Sequence, residues 1–369
     1  IPLQFELSKG QLSDLNLLSK ANSTIELPSN YKYVKANPQE TGFYRSLYSP
    51  ALLSKLYHPI KNKELSVTDR LGVIRDMFAA AKSGLIPTSA YLEFLPAFLD
   101  EDSYIVWAEI LSGMGEIHNL LKYNSPEQKQ LEKYYRSLLK PVVKKVGWEA
   151  DHKESQTRAL LRSAVLAKFG SYGDKATIQK AKQILLKQSR KSISPDLRAA
   201  VYHLSALSGD EKIYKLLHTM FAKETLNEEQ RRIARAMSSF KNQKLFKQTL
   251  DFTLSKQVRG QDAPIMIASA LYNTANRDLA WTWLKKNWGT LHERYQGDHL
   301  LTRIIEYLNS FTDLKMAAEI TKFFKANPVP AAERTIEQVL EQIRQQSAWA
   351  KRDSKNISKA LIALNSRLH

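Results

Sequence analysis

A mainly α fold is predicted: an irregular α-solenoid or superhelix of HEAT- or armadillo-like helix pairs, preceded by a small partial β-sandwich. Residues 49–368 form a run of short amphipathic segments whose breaks recur about every 15 to 25 residues. Residues 1–48 instead alternate apolar and polar positions, as strands do. We therefore expect two domains, with residues 1–48 in the β part and residues 49–369 in the helical part.

The β part is predicted to hold about four strands. One face of the first strand carries four apolar residues: Ile1, Leu3, Phe5 and Leu7. The other strands are expected at residues 25–27, 31–35 and 43–48. About four strands are few for an independent domain, and the chain opens without Met or a signal pattern. We therefore expect it to have been cut or processed from a longer protein.

The helical pattern is clearest in residues 66–83. Four apolar residues recur at helical spacing: Leu71, Ile74, Phe78 and Ala81. Four charged residues are expected on the opposite, solvent-facing side: Asp69, Arg70, Arg75 and Lys82. Gly84 stands where a helix C-cap favours positive φ, so the helix is predicted to end at Ser83.

Further helix starts follow from capping signals. Ser49 precedes Pro50 as an N-cap precedes a proline at the first helical position, and Ser125 with Gln128 has the form of a capping box. Helices are expected at residues 87–99, 103–121 and 125–146, and from near residues 153, 174, 194, 210, 227, 241, 262, 277, 297 and 312. A long helix should follow Pro330, with a separate final helix from about Ser354. From Ser194 the pairs are spaced about 30 to 45 residues apart, without a repeat at the level of residues.

Composition excludes several functional classes. The chain has no Cys, which rules out disulfides and thiolate metal sites and favours a reducing compartment. No apolar run approaches the roughly 18 residues of a membrane span, so no membrane partner is expected. The net charge of +18 is spread along the chain without an Arg-rich tract, which favours a solvated lysine-rich exterior over a specific nucleic-acid site.

The sequence shows no recognisable catalytic or metal-binding motif. No two of the eight His have His-x-x-x-His spacing, and His292 and His299, which bracket Gly297, are a weak metal signal. His203 and His218 are expected in core or boundary positions. The carboxylates of residues 100–102 are expected in a solvated turn rather than an acid/base pair. No catalytic residue, metal ligand or cofactor is therefore assigned to this chain alone.

Several stretches together resemble the C-terminal part of the gluzincin zinc aminopeptidases (the aminopeptidase N superfamily). These stretches run in order through the chain: Asn37 with Gly42-Phe43-Tyr44-Arg45, Asp69-Arg70 with Asp76, Gly147-Trp148-Glu149, Val258-Arg259-Gly260-Gln261-Asp262, Ala280-Trp281 and Asn287-Trp288. The end of the chain is the most specific: Asn327-Pro328, then Ala332-Glu333-Arg334-Thr335-Ile336-Glu337-Gln338 and Ala348-Trp349-Ala350-Lys351-Arg352-Asp353. This part is similar to the puromycin-sensitive branch, which is typically cytosolic.

The resemblance implies that residues 1–48 end a β-sandwich and residues 49–369 form a helical lid over a substrate chamber. It implies a parent enzyme that uses zinc to remove N-terminal residues from peptides, and a cytoplasmic location. The zinc helix and substrate loop of that family match nothing here, so zinc is expected in the parent and not in this chain. The expected partners are peptides and the missing N-terminal catalytic domain. The alternatives are a stand-alone α-solenoid scaffold that binds proteins and, more weakly, nucleic-acid binding.

One residue is predicted to bind substrate. Arg303 is a charge among apolar neighbours on a helix, and by resemblance it matches an arginine that reaches the substrate chamber in several family members. A guanidinium can hold the C-terminal carboxylate of a peptide through two hydrogen bonds. Arg45 is expected to tie the β part to the first helices. Four tryptophans are expected to pack in the core: Trp148, Trp281, Trp288 and Trp349.

Overall fold

The structure is a computed structural model that describes residues 1–151, 153–187, 192–295 and 299–367. The described residues are mainly helical, with a few short antiparallel strands at the start, which confirms the predicted fold class. They divide into two compact units. The first comprises residues 1–116, 133–165 and 355–369, and the second comprises residues 117–132 and 166–354. The predicted domain boundary at residue 48 stays a prediction.

The helices follow one another with short connections. The first nine are α1 (Pro50–Lys61), α2 (Val67–Ser83), α3 (Thr88–Phe94), α4 (Tyr104–Leu120), α5 (Pro126–Val146), α6 (Gln156–Ser171), α7 (Lys175–Lys187), α8 (Pro195–Leu207) and α9 (Glu211–Lys223). The others are α10 (Asn227–Met237), α11 (Gln243–Thr253), α12 (Ala263–Leu271), α13 (Arg277–Lys286), α14 (Trp288–Tyr295), α15 (His299–Glu306), α16 (Leu314–Ala326) and α17 (Glu333–Arg367). No helix in the described ranges has both the length and the apolar character needed to cross a bilayer.

The strands are shorter than expected and differ in position. They are β1 (Pro2–Leu3), β2 (Phe5–Ser8), β3 (Gln11–Leu12), β4 (Asn16–Leu17) and β5 (Lys35–Ala36). β2 lies between β3 and β5, and β1 pairs with β4; all pairs are antiparallel. The strands predicted at residues 25–27 and 43–48 are wrong, because neither segment joins a ladder. Phe43 and Leu47 are exposed, so their alternation reflects an apolar surface rather than a strand.

The predicted caps at Ser49 and Gly84 are confirmed. The Ser49 hydroxyl accepts the N–H of Leu52, and Gly84 ends α2 with φ of 86°. The structure adds an N-cap at Ser66, whose hydroxyl accepts the N–H of Asp69. The Ser125 hydroxyl likewise accepts the N–H of Gln128 at 3.2 Å at the start of α5.

The prediction that Asp69 and Arg70 face solvent is wrong. Asp69 is 0% exposed, because it accepts both the backbone and side-chain N–H groups of Gln39 at 2.7 and 3.0 Å and lies 3.3 Å from the Lys35 ammonium. Arg70 is 4% exposed and pairs with Glu101. Helical periodicity alone predicts that charged side chains face solvent, but charged side chains that pair with each other can be buried.

Two helix predictions near the C-terminus also need correction. The predicted separate helix from Ser354 is wrong, because α17 runs without a break from Glu333 to Arg367. Helix α14 begins at Trp288, directly after Asn287, where no helix start was predicted. The predicted start near Gly297 lies outside the described residues.

In the second unit, helices that are not consecutive in the chain lie side by side. α8 packs against α10, α10 against α12, and α12 against α15, while α7, α9, α11 and α13 join them from the other layer. The starts of α8, α10, α12 and α15 at residues 195, 227, 263 and 299 agree with the predicted pair spacing. The described part of this unit therefore has the two-layer arrangement of helix-pair repeats.

Arginine–carboxylate pairs join the starts of alternate helices. Arg70 pairs with Glu101, Arg198 with Glu229, and Arg231 with Asp262, and the two partners are 31 residues apart in every case. Each carboxylate lies at the beginning of a helix, where the helix dipole favours negative charge. This constant sequence separation between the paired residues is a structural repeat that the residue pattern alone did not reveal.

Side-chain amides and a hydroxyl join the other ends of the same helices. Asn273 and Asn276, which follow α12, donate to the carbonyl of Phe240 at 2.9 and 3.0 Å. The Ser310 hydroxyl, after α15, donates to the carbonyl of Leu271 at 2.9 Å. These bonds satisfy carbonyls that helix ends and the loops after them leave without backbone partners.

The Arg70–Glu101 pair gives a test of this architecture. The two carboxylate oxygens of Glu101 accept from Nε and Nη2 at 2.6 and 3.0 Å, and Oε1 also accepts the N–H groups of Asp102 and Ser103. Because Glu101→Gln leaves the buried guanidinium without a counter-charge, we expect it to lower the free energy of unfolding by about 3–5 kcal/mol.

Urea denaturation followed by circular dichroism measures this change. The matched control is Glu116→Gln, which breaks an exposed pair with Lys82 and should cost no more than about 1 kcal/mol. Equal losses of unfolding free energy in the two variants would show that the buried pair stabilises the fold no more than the exposed pair does.

Candidate functional site

Arg303 lies on the exposed side of α15. Leu301, Ile304 and Ile305 of this helix are buried at 3%, 0% and 0% exposure, whereas Arg303 is exposed. No described residue offers Arg303 a hydrogen bond or an ion pair. The apolar side of the helix thus holds a cation at the surface, and substrate binding by Arg303 stays a prediction.

Two tyrosines border Arg303 on the same surface. Tyr307 is one turn beyond Arg303, at the i+4 position that places two side chains on one helix face. Tyr272, at the end of α12, packs edge to face against Tyr307 with 5.3 Å between ring centroids. Tyr272 and Tyr307 are 52% and 36% exposed. Sequence reasoning missed this pair, because the two positions are 35 residues apart and only packing brings them together.

Arg277 fixes the backbone next to this surface. Its Nη1 donates to the Asn119 side-chain oxygen and to the Ser310 carbonyl, both at 2.7 Å. Burial lowers the pKa of Arg277, and the nearby charge of Asp278 opposes the shift. The guanidinium also lies over the Phe311 ring. Arg277 therefore anchors the short 3₁₀ helix Tyr307–Ser310 that carries Tyr307.

His203 bridges two hydroxyls in the second unit, which agrees with the predicted boundary position. The Ser171 hydroxyl donates to the Ala167 carbonyl at 2.7 Å, so it accepts from the His203 Nε2–H at 2.9 Å. The Nδ1 atom then accepts from the Ser239 hydroxyl at 2.8 Å. Burial, with the charges of Lys168 and Lys241, lowers the pKa of His203 to about 4. The imidazole is neutral at physiological pH and acts as a structural bridge.

The His203 bridge makes stability depend on pH. The ring has a pKa of about 4 in the folded protein and of about 6.5 when unfolded, so the unfolded chain binds more protons between these values. The free energy of unfolding should therefore fall by up to about 3 kcal/mol as pH drops from 6.5 to 4, from this group alone. Urea denaturation at a series of pH values measures the slope.

The control for this dependence is His203→Gln, which retains hydrogen bonding and does not titrate. The difference in stability between the original protein and this variant should shrink as pH falls. A difference that stays constant from pH 7 to 4 would contradict the assigned protonation state.

The other candidate residues take structural roles or lie apart. Glu101 is 4% exposed and paired, so the expectation of a solvated turn is wrong for that residue, although Asp100 and Asp102 are exposed. Arg45 is exposed and has no hydrogen-bond partner among the described residues, so its predicted tying role is not supported. The Ser46 N–H makes that link instead, by donating to Asp76 of α2 at 2.8 Å.

Three of the four tryptophans lie in the core rather than on a ligand-binding surface. Trp281, Trp288 and Trp349 are 1%, 5% and 2% exposed, which confirms the predicted core packing for these three, and Trp148 is half-buried. Among the residues that the structure describes, no group of three or more His, Asp or Glu side chains is placed to hold a metal ion. The resemblance implies zinc in the parent enzyme, and the described residues of this chain bring together no three-ligand site for it.

Comparison with known proteins places the chain in a family. A family model described as ERAP1-like C-terminal domain matches residues 33–345. Aminopeptidase 2 of Candida albicans is 28% identical over 362 residues, which cover 96% of this chain and 39% of that protein. Aminopeptidase M1-C of Oryza sativa is 30% identical over 327 residues (86% and 37%). Glutamyl aminopeptidase of Sus scrofa is 28% identical over 338 residues (89% and 36%).

The chain belongs to the ERAP1-like C-terminal domain family, and its curated relatives are aminopeptidases of the M1, or aminopeptidase N, family. It spans 36% to 39% of the length of the three relatives described above. The predicted resemblance to the C-terminal region of aminopeptidases is confirmed. The narrower likeness to the puromycin-sensitive branch stays a prediction.

Proposed function

We propose that this chain is the C-terminal, substrate-chamber and regulatory region of a zinc aminopeptidase that removes N-terminal residues from peptides. The observation that carries the proposal is the match of residues 33–345 to a domain of M1 aminopeptidases, with less than two-fifths of each described relative covered. A lid of this kind limits which peptides reach the reacting centre and helps to hold them there. By the same resemblance we infer a cytoplasmic location.

We propose that zinc and the catalytic residues belong to an N-terminal part of the parent enzyme. This is consistent with the described residues, which bring no three metal-binding side chains together. Zinc in such enzymes supplies a Lewis acid and an activated water. The residues of this chain would contribute binding and orientation of the peptide, not bond cleavage.

The first test uses the parent enzyme and this chain side by side. We expect the parent to contain zinc and to hydrolyse aminoacyl reporter peptides, and residues 1–369 alone to hydrolyse none. Metal analysis and a fluorogenic aminopeptidase assay measure both. Peptide hydrolysis by the chain alone would overturn the division of roles, and a parent protein without zinc or activity would favour the scaffold alternative.

The start of the chain carries an apolar surface that suits docking of the catalytic part. Six large apolar side chains within the first 47 residues are more than half exposed: Ile1, Leu12, Leu15, Leu17, Phe43 and Leu47. A segment with this many exposed apolar side chains suits burial against a partner. We propose that the missing N-terminal part of the parent enzyme covers them.

Arg303 is proposed to receive the C-terminal carboxylate of the peptide. An exposed guanidinium without an acidic partner among the described residues can bind a carboxylate through two parallel hydrogen bonds. The general excess of basic residues would add long-range attraction for this negatively charged end.

In the parent enzyme, Arg303→Ala should raise KM by about 10-fold for peptides with a free C-terminal carboxylate, since a charge-assisted hydrogen bond is lost. The KM for the same peptides with an amidated C-terminus should change little. Steady-state kinetics on both peptide series measure the difference.

The matched control is Arg334→Ala, which removes another exposed arginine, at the start of α17. Arg303→Lys should give an intermediate KM, because it keeps the charge and loses the planar fork. Equal kinetics of the Arg303→Ala and Arg334→Ala enzymes on the carboxylate series would contradict the assignment.

A further inference from the structure

We propose that Lys168 and Lys241 form a binding site for a small phosphate dianion beside the His203 ring. All three residues belong to the second unit. Lys168 is in the last turn of α6, His203 is in α8, and Lys241 follows α10. The inference goes beyond the proposed function and does not depend on it, because it uses neither Arg303 nor the zinc of the parent enzyme.

The first argument is that three elements converge on the His203 ring. The ring donates to the Ser171 hydroxyl at the end of α6 at 2.9 Å, and it accepts from the Ser239 hydroxyl after α10 at 2.8 Å. Gly170 permits the close approach of α6 to α8, because a Cβ added there would lie only 2.5 Å from the Leu204 side chain. The end of α6 and the segment after α10 are therefore both held at one ring of α8.

The second argument is that each of the two bridged hydroxyls has a lysine close to it in the chain. Lys168 is one turn before Ser171, at a spacing that places two side chains on the same face of a helix. Lys241 is two residues beyond Ser239. The positive charges of both lysines act on the His203 ring and oppose its protonation. Two ammonium groups from different elements are therefore brought close to one neutral imidazole.

The third argument is that this cluster of positive charge has no carboxylate to balance it. Neither the Lys168 nor the Lys241 side chain forms a hydrogen bond or an ion pair with a residue that the structure describes. Lys168 is half-buried, and burial lowers the pKa of its ammonium group. Helix α6 contains no Asp or Glu, and those of α8 and α10 are confined to the first turns. Because recessed charges in proteins are normally paired, we expect the partner to be an anion from solution.

The charge of the cluster defines its occupant. Two ammonium groups balance a dianion, whereas a carboxylate would balance only one of them. A phosphate group carries a charge of about −1.5 to −2 at neutral pH and offers three strong acceptor oxygens, so it can accept from both lysines at once. Lysine binds phosphate as a point charge on a flexible stem and needs no fixed planar geometry. The chemistry shared by free phosphate and a phosphate monoester therefore fits the site.

The experiment measures phosphate binding to residues 1–369 by isothermal titration calorimetry, in a chloride buffer at neutral pH without other oxyanions. We expect one site for inorganic phosphate with a Kd on the order of 1 mM or below. Lys168→Met and Lys241→Met should each weaken binding by about 10-fold, because each variant loses a charge-assisted hydrogen bond. Circular dichroism checks that both variants keep their helical content.

Two controls separate the site from general charge effects. Lys286→Met removes another lysine from the last turn of a helix in the second unit, and it should leave the Kd for phosphate unchanged. Acetate, which carries a single charge, should bind the original chain at least about 10-fold more weakly than phosphate does. Glycerol 3-phosphate, as a second phosphate probe, shows whether the site accepts a monoester as well as the free anion.

The titration of His203 gives an independent measurement. A phosphate bound beside the two lysines offsets their charges, so it should raise the pKa of His203 above the value of about 4 in its absence. Nuclear magnetic resonance of the imidazole, with and without phosphate, follows this change. Phosphate that binds without moving the His203 titration would lie elsewhere on the chain and would overturn the proposal.

The remaining outcomes decide the occupant. Binding of inorganic phosphate alone supports a site for the free anion, and binding of both phosphate probes supports a site for the phosphate group of a small metabolite. Acetate binding as tight as phosphate binding would reject the dianion in favour of a carboxylate. Absence of phosphate binding, or equal binding by the Lys168→Met, Lys241→Met and Lys286→Met chains, would show that the cluster is a solvated basic surface.

Discussion

Pairing of arginines with buried carboxylates is the constraint on which the helical repeats depend. In three places an arginine in the first turns of one helix reaches a carboxylate at the start of the next helix but one, always 31 residues later. A buried charge that loses its partner is costly, so these pairs determine which turns of the two helices meet. The hydrophobic faces between the helices are less specific, because apolar side chains accept small shifts more readily.

The candidate site lies on backbone of the second unit that is held in place by hydrogen bonds at the C-terminal ends of the helices, opposite to the arginine–carboxylate pairs. Asn273 and Asn276 donate to a carbonyl just after α10, and the Ser310 hydroxyl donates to the last carbonyl of α12. With Arg277, they fix the 3₁₀ helix that carries Tyr307. The side chains of the candidate site are therefore placed on an ordered surface, while the apolar side of α15 anchors Arg303 from beneath.

Sequence reasoning found the local features and missed those that depend on distant pairing. Ser49 and Gly84 were predictable, because a cap involves only a few neighbouring residues. The burial of Asp69 and Arg70 was not, because their partners lie about 30 residues away and charge alone indicates solvent. Of the candidate site, Arg303 was predicted through family resemblance, whereas Tyr272 and Tyr307 became neighbours only when α12 and α15 packed together.

The constant offset between paired charges also limits how this chain can change in length during evolution. An insertion or deletion between Arg198 and Glu229, or between Arg231 and Asp262, must be absorbed entirely in a loop if both partners are to stay in position. Arg162 pairs with Glu154, which lies only 8 residues before it in the chain. None of these described pairs therefore spans the segment between Arg162 and Arg198, and its length is not restricted in this way. Homologous chains should therefore vary in residue identity within the 31-residue windows and vary in length outside them.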